Sequence, residues 1–423
     1  MDVRPGYKQT EMGVIPEDWE LTTFGRLFAF TNGVNADKTA YGKGVRFINV
    51  LEPISHSHIY GPEIPGRVDI SGSVASAYSV RPGDIVFNRT SETDSELGLA
   101  AVYLGDEQVV FGGFVIRGRP INDALDSRYS GYALRAKMIR SQIIPMGQGA
   151  VRANIGQQNL RRVLVAVPPK PEQRAIAATL SDVDALLEGL DRLIAKKRDL
   201  KQAAMQQLLT GQTRLPGFQG DWEVKRLGDH VTFLRNGVNS RAELSPEGRV
   251  KYLHYGDIHA STDSFFSPHT LPSLPDAKAV RLDRLRDGDV IFADASEDIA
   301  GVCKSVELRG ACETEVVSGL HTIAARFDKT VLADGFKGFL QYCPSFATHL
   351  RRLAAGTKVY ATNRAHIASV EMRLPSAAEQ TAIAAVLSDM DAELTALEAR
   401  RDKTRALKQA MMQELLTGKT RLI

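Results

Sequence analysis

The chain has 423 residues, of which 43% are hydrophobic and 24% charged. This is an ordinary balance for a globular protein with two to four domains. The net charge of +3 is too small to predict a nucleic-acid partner by itself. There is no apolar run of membrane-spanning length and no signal-peptide core. The three cysteines lack C-x-x-C spacing, which argues against a zinc site and for a reducing compartment. We therefore expect a cytoplasmic protein without a membrane partner.

The first part of the chain is predicted to be a mixed α/β domain, residues 1–167. Short β-branched and aromatic runs, interrupted by Gly, Pro, Asn and Asp, predict strands there. The main segments are strands at Val45–Val50, Ile85–Asn88 and Ala100–Leu104, a helix at Arg128–Ile144 and a strand at Val163–Val167. Phe111-Gly112-Gly113-Phe114 predicts a tight turn. Because helices and strands do not alternate, we do not expect a doubly wound parallel sheet.

A long helix follows, within a predicted helical spacer at residues 168–214. Pro171 suits its first turn, and Gly211 suits a left-handed position after its end. Apolar residues at a 4-3-4-3-4 spacing form a seam, which indicates a coiled coil. They are Ile176, Leu180, Val183, Leu187, Leu190 and Ile194. A run of about 38 residues gives a helix roughly 55 Å long.

The second half of the chain repeats the first. Glu172–Leu215 recurs without a gap at Glu379–Leu422, with about two-thirds identity, and the two tryptophans, Trp19 and Trp222, are equivalent. The repeat predicts a second mixed α/β domain at 215–374. Its main segments are strands at Tyr252–Tyr255, Val290–Ala293 and Val370–Leu374 and a helix at Gly335–Ala354.

A second helical spacer is predicted at residues 375–423. Ser376 and Glu379 have the spacing of a capping box, and Gly418 is equivalent to Gly211. The seam of this helix has the same spacing as the first. It consists of Ile383, Leu387, Met390, Leu394 and Leu397. Two such seams in one chain are expected to pack against each other, although a helical hairpin inside a larger core is an alternative.

Each half also contains one basic segment without acidic residues, Arg128 to Arg162 and Gly335 to Val370. Such a segment is typical of phosphate contact, although a solvated helix face has the same composition. Its recurrence at the same place in both halves favours DNA. The predicted phosphate contacts are Arg135, Lys137, Arg140, Arg152, Arg351, Arg352 and Lys358.

Catalytic motifs are missing from the sequence. There is no phosphate-binding G-x-x-x-x-G-K-[ST] loop, no G-x-G-x-x-G and no Asn/Asp-Pro-Pro-aromatic motif of an amino-methyltransferase. His56 and His58 have no third metal ligand in view, and the acidic loop Ser91–Glu96 is typical of a solvated turn. We therefore expect neither catalysis nor a bound metal.

The repeated motifs resemble those of one family. They are Pro168–Gln173 and Leu374–Gln380 before the helices, Leu-Leu-Thr-Gly-x-Thr-Arg-Leu after each helix, and a Gly-Asp-hydrophobic strand in each domain. Together they resemble the specificity subunit of a type I restriction–modification enzyme over essentially the whole chain. The resemblance implies an α+β fold. Two mixed α/β target-recognition domains would be separated by two long antiparallel coiled-coil helices, with pseudo-twofold symmetry.

The resemblance also implies a function. Each domain would read one half of a split, asymmetric site on double-stranded DNA, and the helices would fix the gap. Two methyltransferase subunits and two restriction/translocase subunits would supply the chemistry. The chain itself would then be no enzyme and bind no cofactor, while S-adenosylmethionine, ATP and Mg would be held by the partners.

Five residues are candidates for contacts with base edges. They are Asn88, Arg89, Asp294, Ser296 and His321. Arg89 follows the Gly-Asp strand of the first domain, whereas Asp294 follows that of the second, so the two domains are expected to read different bases. Two alternatives remain: a specificity subunit of a Type IIB-like system with catalysis of its own, and a structural coiled-coil protein without a nucleic-acid role.

Overall fold

The computed structural model describes residues 4–149, 152–354, 356 and 358–422. The chain divides into two compact units, each with one globular part and one half of each long helix. Unit 1 comprises Met1–Asp191 and Ala399–Ile423, and unit 2 comprises Arg192–Glu398. The four segments predicted from the sequence (1–167, 168–214, 215–374 and 375–423) stay a prediction, because these units are defined by contacts and cut both helices.

Unit 1 contains short strands and helices before its first long helix. The strands are β1 (Tyr7–Thr10), β2 (Gly13–Pro16), β3 (Glu20–Thr23), β4 (Phe28–Asn32), β5 (Tyr41–Ile48), β6 (His58–Ile59), β7 (Arg67–Val68), β8 (Ser79–Val80), β9 (Ile85–Asn88), β10 (Thr90–Ser91), β11 (Ala100–Tyr103), β12 (Val109–Phe111), β13 (Val115–Pro120), β14 (Ala153–Asn154) and β15 (Leu164–Val167). The helices are α1 (Phe24–Leu27), α2 (Leu51–Ser55), α3 (Gly72–Ala77), α4 (Ser127–Ala133), α5 (Lys137–Ile143), α6 (Gln157–Arg162) and α7 (Lys170–Leu208), the last of which continues into unit 2.

Two sheets form the body of unit 1. The larger has the order β4-β13-β9-β11-β6, with β6 as a parallel edge strand, and the smaller has the order β7-β5-β12-β8. β9 and β11 are buried along their whole length, and apart from Asn88 at the end of β9 their residues are apolar or aromatic. Aromatic side chains of β4 and β9 pack with apolar residues of α4, α5 and α7 in one core. That core also contains Leu415 and Leu416 from the end of the second long helix.

Unit 2 begins within α7 and contains a second set of elements. The strands are β16 (Glu223–Arg226), β17 (Val231–Phe233), β18 (Val250–Leu253), β19 (Phe265–Phe266), β20 (Ser273–Leu274), β21 (Val290–Ala293), β22 (Ala295–Ser296), β23 (Ser305–Leu308), β24 (Val316–Ser318), β25 (Thr322–Phe327), β26 (Tyr360–Ala361) and β27 (Glu371–Leu374). The helices are α8 (Tyr255–Ala260), α9 (Asp276–Ala279), α10 (Pro344–Leu353), α11 (Arg364–Ala368) and α12 (Ala377–Leu415), the last of which continues into unit 1.

The strand order of unit 2 repeats that of unit 1. Its larger sheet has the order β17-β25-β21-β23-β19, again with a parallel edge strand, and its smaller sheet has the order β20-β18-β24. The pair of strands before the long helix also recurs, as β15-β3 in unit 1 and β27-β16 in unit 2. The internal repeat and the mixed α+β class predicted from the sequence are therefore confirmed.

Two predicted helices are broken. Arg128–Ile144 forms α4 and α5, with extended backbone at Ala136 between them. Gly335–Ala354 forms a 3₁₀ helix at Lys337–Tyr342 followed by α10. The second break lies at Pro344, which lacks an N–H and disfavours helical backbone in the residue before it.

The long helices pack antiparallel within each unit. In unit 1 the Lys408 ammonium of α12 binds the Asp184 carboxylate of α7, and in unit 2 Lys201 of α7 binds Asp391 of α12. All of the predicted seam residues are buried or half-buried. The seam is polar at Lys197, whose Nζ lies 2.7 Å from Glu393 Oε1 in unit 2. Neither these helices nor any other described helix is both long and apolar enough to cross a membrane.

Candidate nucleic-acid interface

The globular part of unit 1 is fixed to the helices at a buried carboxylate. The Glu172 side chain is 1% exposed, and Arg421 binds both of its oxygens, with Nε–Oε1 and Nη2–Oε2 distances of 2.6 and 2.8 Å. Trp19 donates its Nε1 hydrogen to Glu172 Oε2 at 3.0 Å, and Asp18 accepts two further hydrogen bonds from Arg421. The Arg421 guanidinium, despite partial burial, lowers the pKa of the Asp18 carboxyl below its ordinary value.

Unit 2 repeats this junction with the roles of the two helices exchanged. Glu379 at the start of α12 is buried, and Arg214 after α7 binds it through Nη2 and Oε2 at 2.6 Å. The Glu379 carboxylate raises the pKa of Arg214. The Nε1 of Trp222 is buried without a hydrogen-bond partner among the described residues, which distinguishes it from Trp19. The Ser376 hydroxyl caps the Glu379 N–H at 3.3 Å, so one half of the predicted capping box is present.

A glutamine next to each glutamate completes the junction. Gln173 donates to the carbonyls of Pro168 and Ala124, both at 2.8 Å, and its Oε1 accepts from the Asp126 N–H at 2.7 Å. Gln380 makes the equivalent three bonds in unit 2. The repeated Glu-Gln and Thr-Arg motifs therefore orient the globular part of each unit on the paired helices.

The repeated Gly-Asp motif is structural. In unit 1 the buried Asp84 carboxylate accepts from Arg119 at 2.7 Å and from the Arg81 N–H at 2.9 Å. In unit 2 Asp289 accepts from Arg326 at 2.6 Å, with the same backbone bond. This ion pair joins the start of the central strand of the larger sheet to its neighbour.

The base-contact candidates of unit 1 lie at the end of β9. Asn88 is fully buried, and its Nδ2 donates to the Glu96 carbonyl at 3.0 Å, so it does not reach the surface. Arg89 is half-buried, and its Nη1 donates to the Gly113 carbonyl at 3.1 Å. Of these two candidates, only Arg89 is therefore available to a ligand.

The unit 2 candidates come together. Nδ1 of the exposed His321 side chain lies 3.2 Å from Asp294 Oδ1. A cavity of about 830 Å³ has Ser296 and His321 in its wall, together with Tyr255, His259 and Lys304. Ser296 is itself buried. The structure thus brings three predicted residues of unit 2 into one place.

The basic residues predicted to contact phosphates in unit 1 have different environments. Arg135 is directed inward, where it donates to the carbonyls of Pro53, Ile54, His56 and Ala100, and burial lowers its pKa. This geometry does not support a phosphate contact by Arg135.

Burial and the neighbouring Arg135 charge lower the pKa of Arg140 to about 10. Its Nη2 donates to the Ser95 carbonyl at 3.0 Å. Arg152 pairs with Glu92 at 2.7 Å on the surface, and Lys137 is exposed at the start of α5.

The basic residues predicted in unit 2 are accessible. Arg351 and Arg352 are exposed in the last turn of α10, and Lys358 is exposed beyond it. Arg351 Nη2 lies 3.4 Å from the Ala300 carbonyl oxygen. The roles of all these residues in DNA binding stay predictions.

Two functional candidates were not predicted from the sequence. Phe114 is 56% exposed in the turn before β13, and Tyr255 packs its ring against His321 with centroids 5.4 Å apart. Aligning the two repeats through β13 and β25 would have indicated Phe114, because it occupies the position of His321. No three His, Cys, Asp or Glu side chains in the described part of the chain lie close enough to form a metal site.

Comparisons with known proteins agree with this architecture. Residues 74–196 match the type I restriction modification DNA specificity domain. The MjaX type I restriction enzyme specificity subunit of Methanocaldococcus jannaschii is 25% identical, and the alignment covers 98% of this chain and 97% of that protein. These matches identify the chain as a relative of the specificity subunits of type I restriction–modification enzymes. The EcoKI specificity subunit of Escherichia coli is 23% identical over 69% of this chain and 65% of its own length.

Solved structures of specificity subunits have the same fold. The S subunit from M. genitalium has a TM-score of 0.57 at 16% identity, with 98% of both chains covered. A chain from a study of complex assembly and conformational transition in the type I R-M system has a TM-score of 0.59 at 18% identity, covering 96% of this chain and 99% of that chain.

Proposed function

We propose that this specificity subunit reads a bipartite DNA site, one half-site with each globular part, and has no catalytic activity. The observation that carries the proposal is the repetition of the larger sheet's strand order and of the arginine–glutamate helix junction in both units, combined with different side chains at equivalent positions. A protein that reads an asymmetric site needs one scaffold used twice and two different sets of base contacts.

The two long helices are proposed to fix the gap between the half-sites. Each has 39 residues, which gives a length of about 58 Å at 1.5 Å per residue. An antiparallel pair of long helices can set such a spacing, as half-site spacing is set in dimeric DNA-binding proteins. The helices are also proposed to dock two methyltransferase subunits, to which two restriction/translocase subunits attach.

The chemistry is assigned to these partners. S-adenosylmethionine, ATP and Mg are proposed to bind the partner subunits, and the complex is proposed to act in the cytoplasm. The sequence motifs for nucleotide binding and for a methyltransferase are missing from this chain, which supports the proposal.

The test is a change in helix length. Deleting one heptad from the middle of each long helix keeps the seam in register and removes about 10 Å, or roughly three base pairs. The complex with methyltransferase subunits should then methylate a site whose gap is shorter and whose half-sites are unchanged. Deleting four residues from each helix is the control, because it breaks the register of the seam. Altered half-sites after the heptad deletion, or methylation by the isolated chain, would contradict the proposal.

A further inference from the structure

One pair of equivalent positions carries different chemistry in the two units. In unit 1 the pair is Arg89, after β9, and Phe114, before β13. In unit 2 it is Asp294, after β21, and His321, before β25. We call these the turn pairs, because both residues of each pair lie in the turns at one end of the larger sheet.

The backbone around both turn pairs is held by the same hydrogen bonds. The Arg89 N–H donates to the Phe114 carbonyl at 2.9 Å, and the Asp294 N–H donates to the His321 carbonyl at 3.1 Å. The Arg89 carbonyl accepts from Ile155 N at 2.9 Å, just as the Asp294 carbonyl accepts from Thr362 N at 2.8 Å. Because the bonds use only backbone atoms, the side chains can differ without changing the fold.

The turn pair of unit 1 offers a cation and an apolar ring. Arg89 donates from Nη1 to the Gly113 carbonyl, and this bond holds the guanidinium beside the turn. The other N–H groups of the guanidinium do not take part in that bond. The Phe114 ring is more than half exposed next to it. Arginine forms paired hydrogen bonds with guanine O6 and N7, and an apolar side chain contacts the methyl group of thymine.

The turn pair of unit 2 offers hydrogen-bond acceptors. Carboxylate oxygens accept, so Nδ1 of His321 donates to Asp294 Oδ1, and in this tautomer Nε2 is an acceptor. The backbone of His321 has φ = +56°, and no other non-glycine residue among those described has a positive φ. Such strain is characteristic of functional positions. Acceptors in the major groove recognise the amino groups of cytosine and adenine.

We infer that the turn pairs determine the base specificity of this subunit: Arg89 and Phe114 read a guanine and its neighbour in one half-site, and Asp294 and His321 read an amino-bearing base, cytosine or adenine, in the other. This inference rests on the proposed function and adds to it the residues and the base chemistry. Phe114 is an additional base-contact candidate that was not predicted from the sequence. The buried Asn88 is no longer a candidate.

The test is binding-site selection from random duplexes by the full-length chain in complex with methyltransferase subunits. Arg89→Ala and Phe114→Ala should each lose about tenfold or more of the discrimination at one or two adjacent base pairs of one half-site. Asp294→Asn and His321→Ala should do so in the other half-site only. The two substitutions per unit keep the test valid if one variant does not fold.

The matched control is Lys137→Ala, which removes an exposed cation from α5 in unit 1. It should weaken binding to all sequences equally and reduce the salt dependence, whereas the turn-pair variants should keep the salt dependence of the unmodified chain. Variants of either unit that select the unmodified motif with the same discrimination would overturn the inference. If the unmodified complex selects no sequence at all, the proposed function fails, and the inference with it.

Discussion

Removing the Arg421 guanidinium tests the helix junction of unit 1 most directly. The Glu172 carboxylate is 1% exposed and Arg421 is 18% exposed. In Arg421→Ala the buried carboxylate keeps only the Trp19 N–H among its three present hydrogen bonds. Breaking a buried ion pair by removing one partner costs about 3–5 kcal/mol. We expect the lower end, about 3 kcal/mol, because the partly exposed site would admit water.

The assay is urea unfolding followed by tryptophan fluorescence in a Trp222→Phe background. Trp19 is then the one remaining tryptophan, and it contacts the junction directly. With a slope of about 1–3 kcal/mol per molar urea, the loss corresponds to a shift of about 1 M or more in the midpoint. Glu172→Gln combined with Arg421→Ala should recover part of the loss, because no buried charge is then left unpaired.

Arg405→Ala is the matched control, since it removes an arginine of α12 from the same unit. Arg405 lies 3.7 Å from Asp402 with both side chains more than half exposed, and such pairs contribute about 0–1 kcal/mol. An Arg421→Ala midpoint no lower than that of Arg405→Ala would refute the assignment of the junction as a stabilising element of unit 1.

Three further predictions concern other sites. Arg135→Ala should lower the thermal stability while leaving the salt dependence of DNA binding unchanged, because its guanidinium is committed to backbone carbonyls. The Lys278 ammonium lowers the pKa of Glu243 to about 2. The stabilisation that the Glu243 carboxylate provides is therefore present above pH 4.5 and is lost as the pH falls toward 2. Glu243→Gln should therefore flatten the acid limb of the stability–pH profile, measured by urea unfolding. Gly33→Ala should impair folding, because a Cβ there would overlap a backbone carbonyl, whereas Gly72→Ala, which has open space, should keep the melting temperature within about 2 °C.

Local patterns in the sequence predicted the regular elements well. The limits of β9 and β21 were predicted to the residue, because each is an apolar run between breakers. Both long helices were predicted from their seams, and Gly211 and Gly418 have the expected positive φ. These features depend on residues within a few positions of each other, and a single sequence contains that information.

The environments of individual candidates could not be predicted, because their partners are distant in the chain. Arg135 was a candidate phosphate contact on composition alone, but its carbonyl partners lie about 35 to 82 residues away. Arg152 lies in a segment without acids, yet Glu92 from another loop pairs with it. A charge count along the chain therefore overestimates the free positive charge.

Identity between the two repeats follows the contacts that each residue makes. The Glu-Gln pair at the start of each helix and the Thr-Arg-Leu after it are the same in both copies, because each arginine must bind the glutamate of the other helix. The middle parts of the helices differ: Leu193 and Ile194 in α7 correspond to Arg400 and Arg401 in α12. Leu193 is exposed and Arg401 is half-buried, so these positions pack less uniformly than the junctions.

The turn pairs differ completely in their side chains, although equivalent backbone hydrogen bonds hold them. Because these bonds use only backbone atoms, stability does not determine which side chains occupy the turns. Two units that recognise different sequences require different side chains there, and the turn pairs meet that requirement.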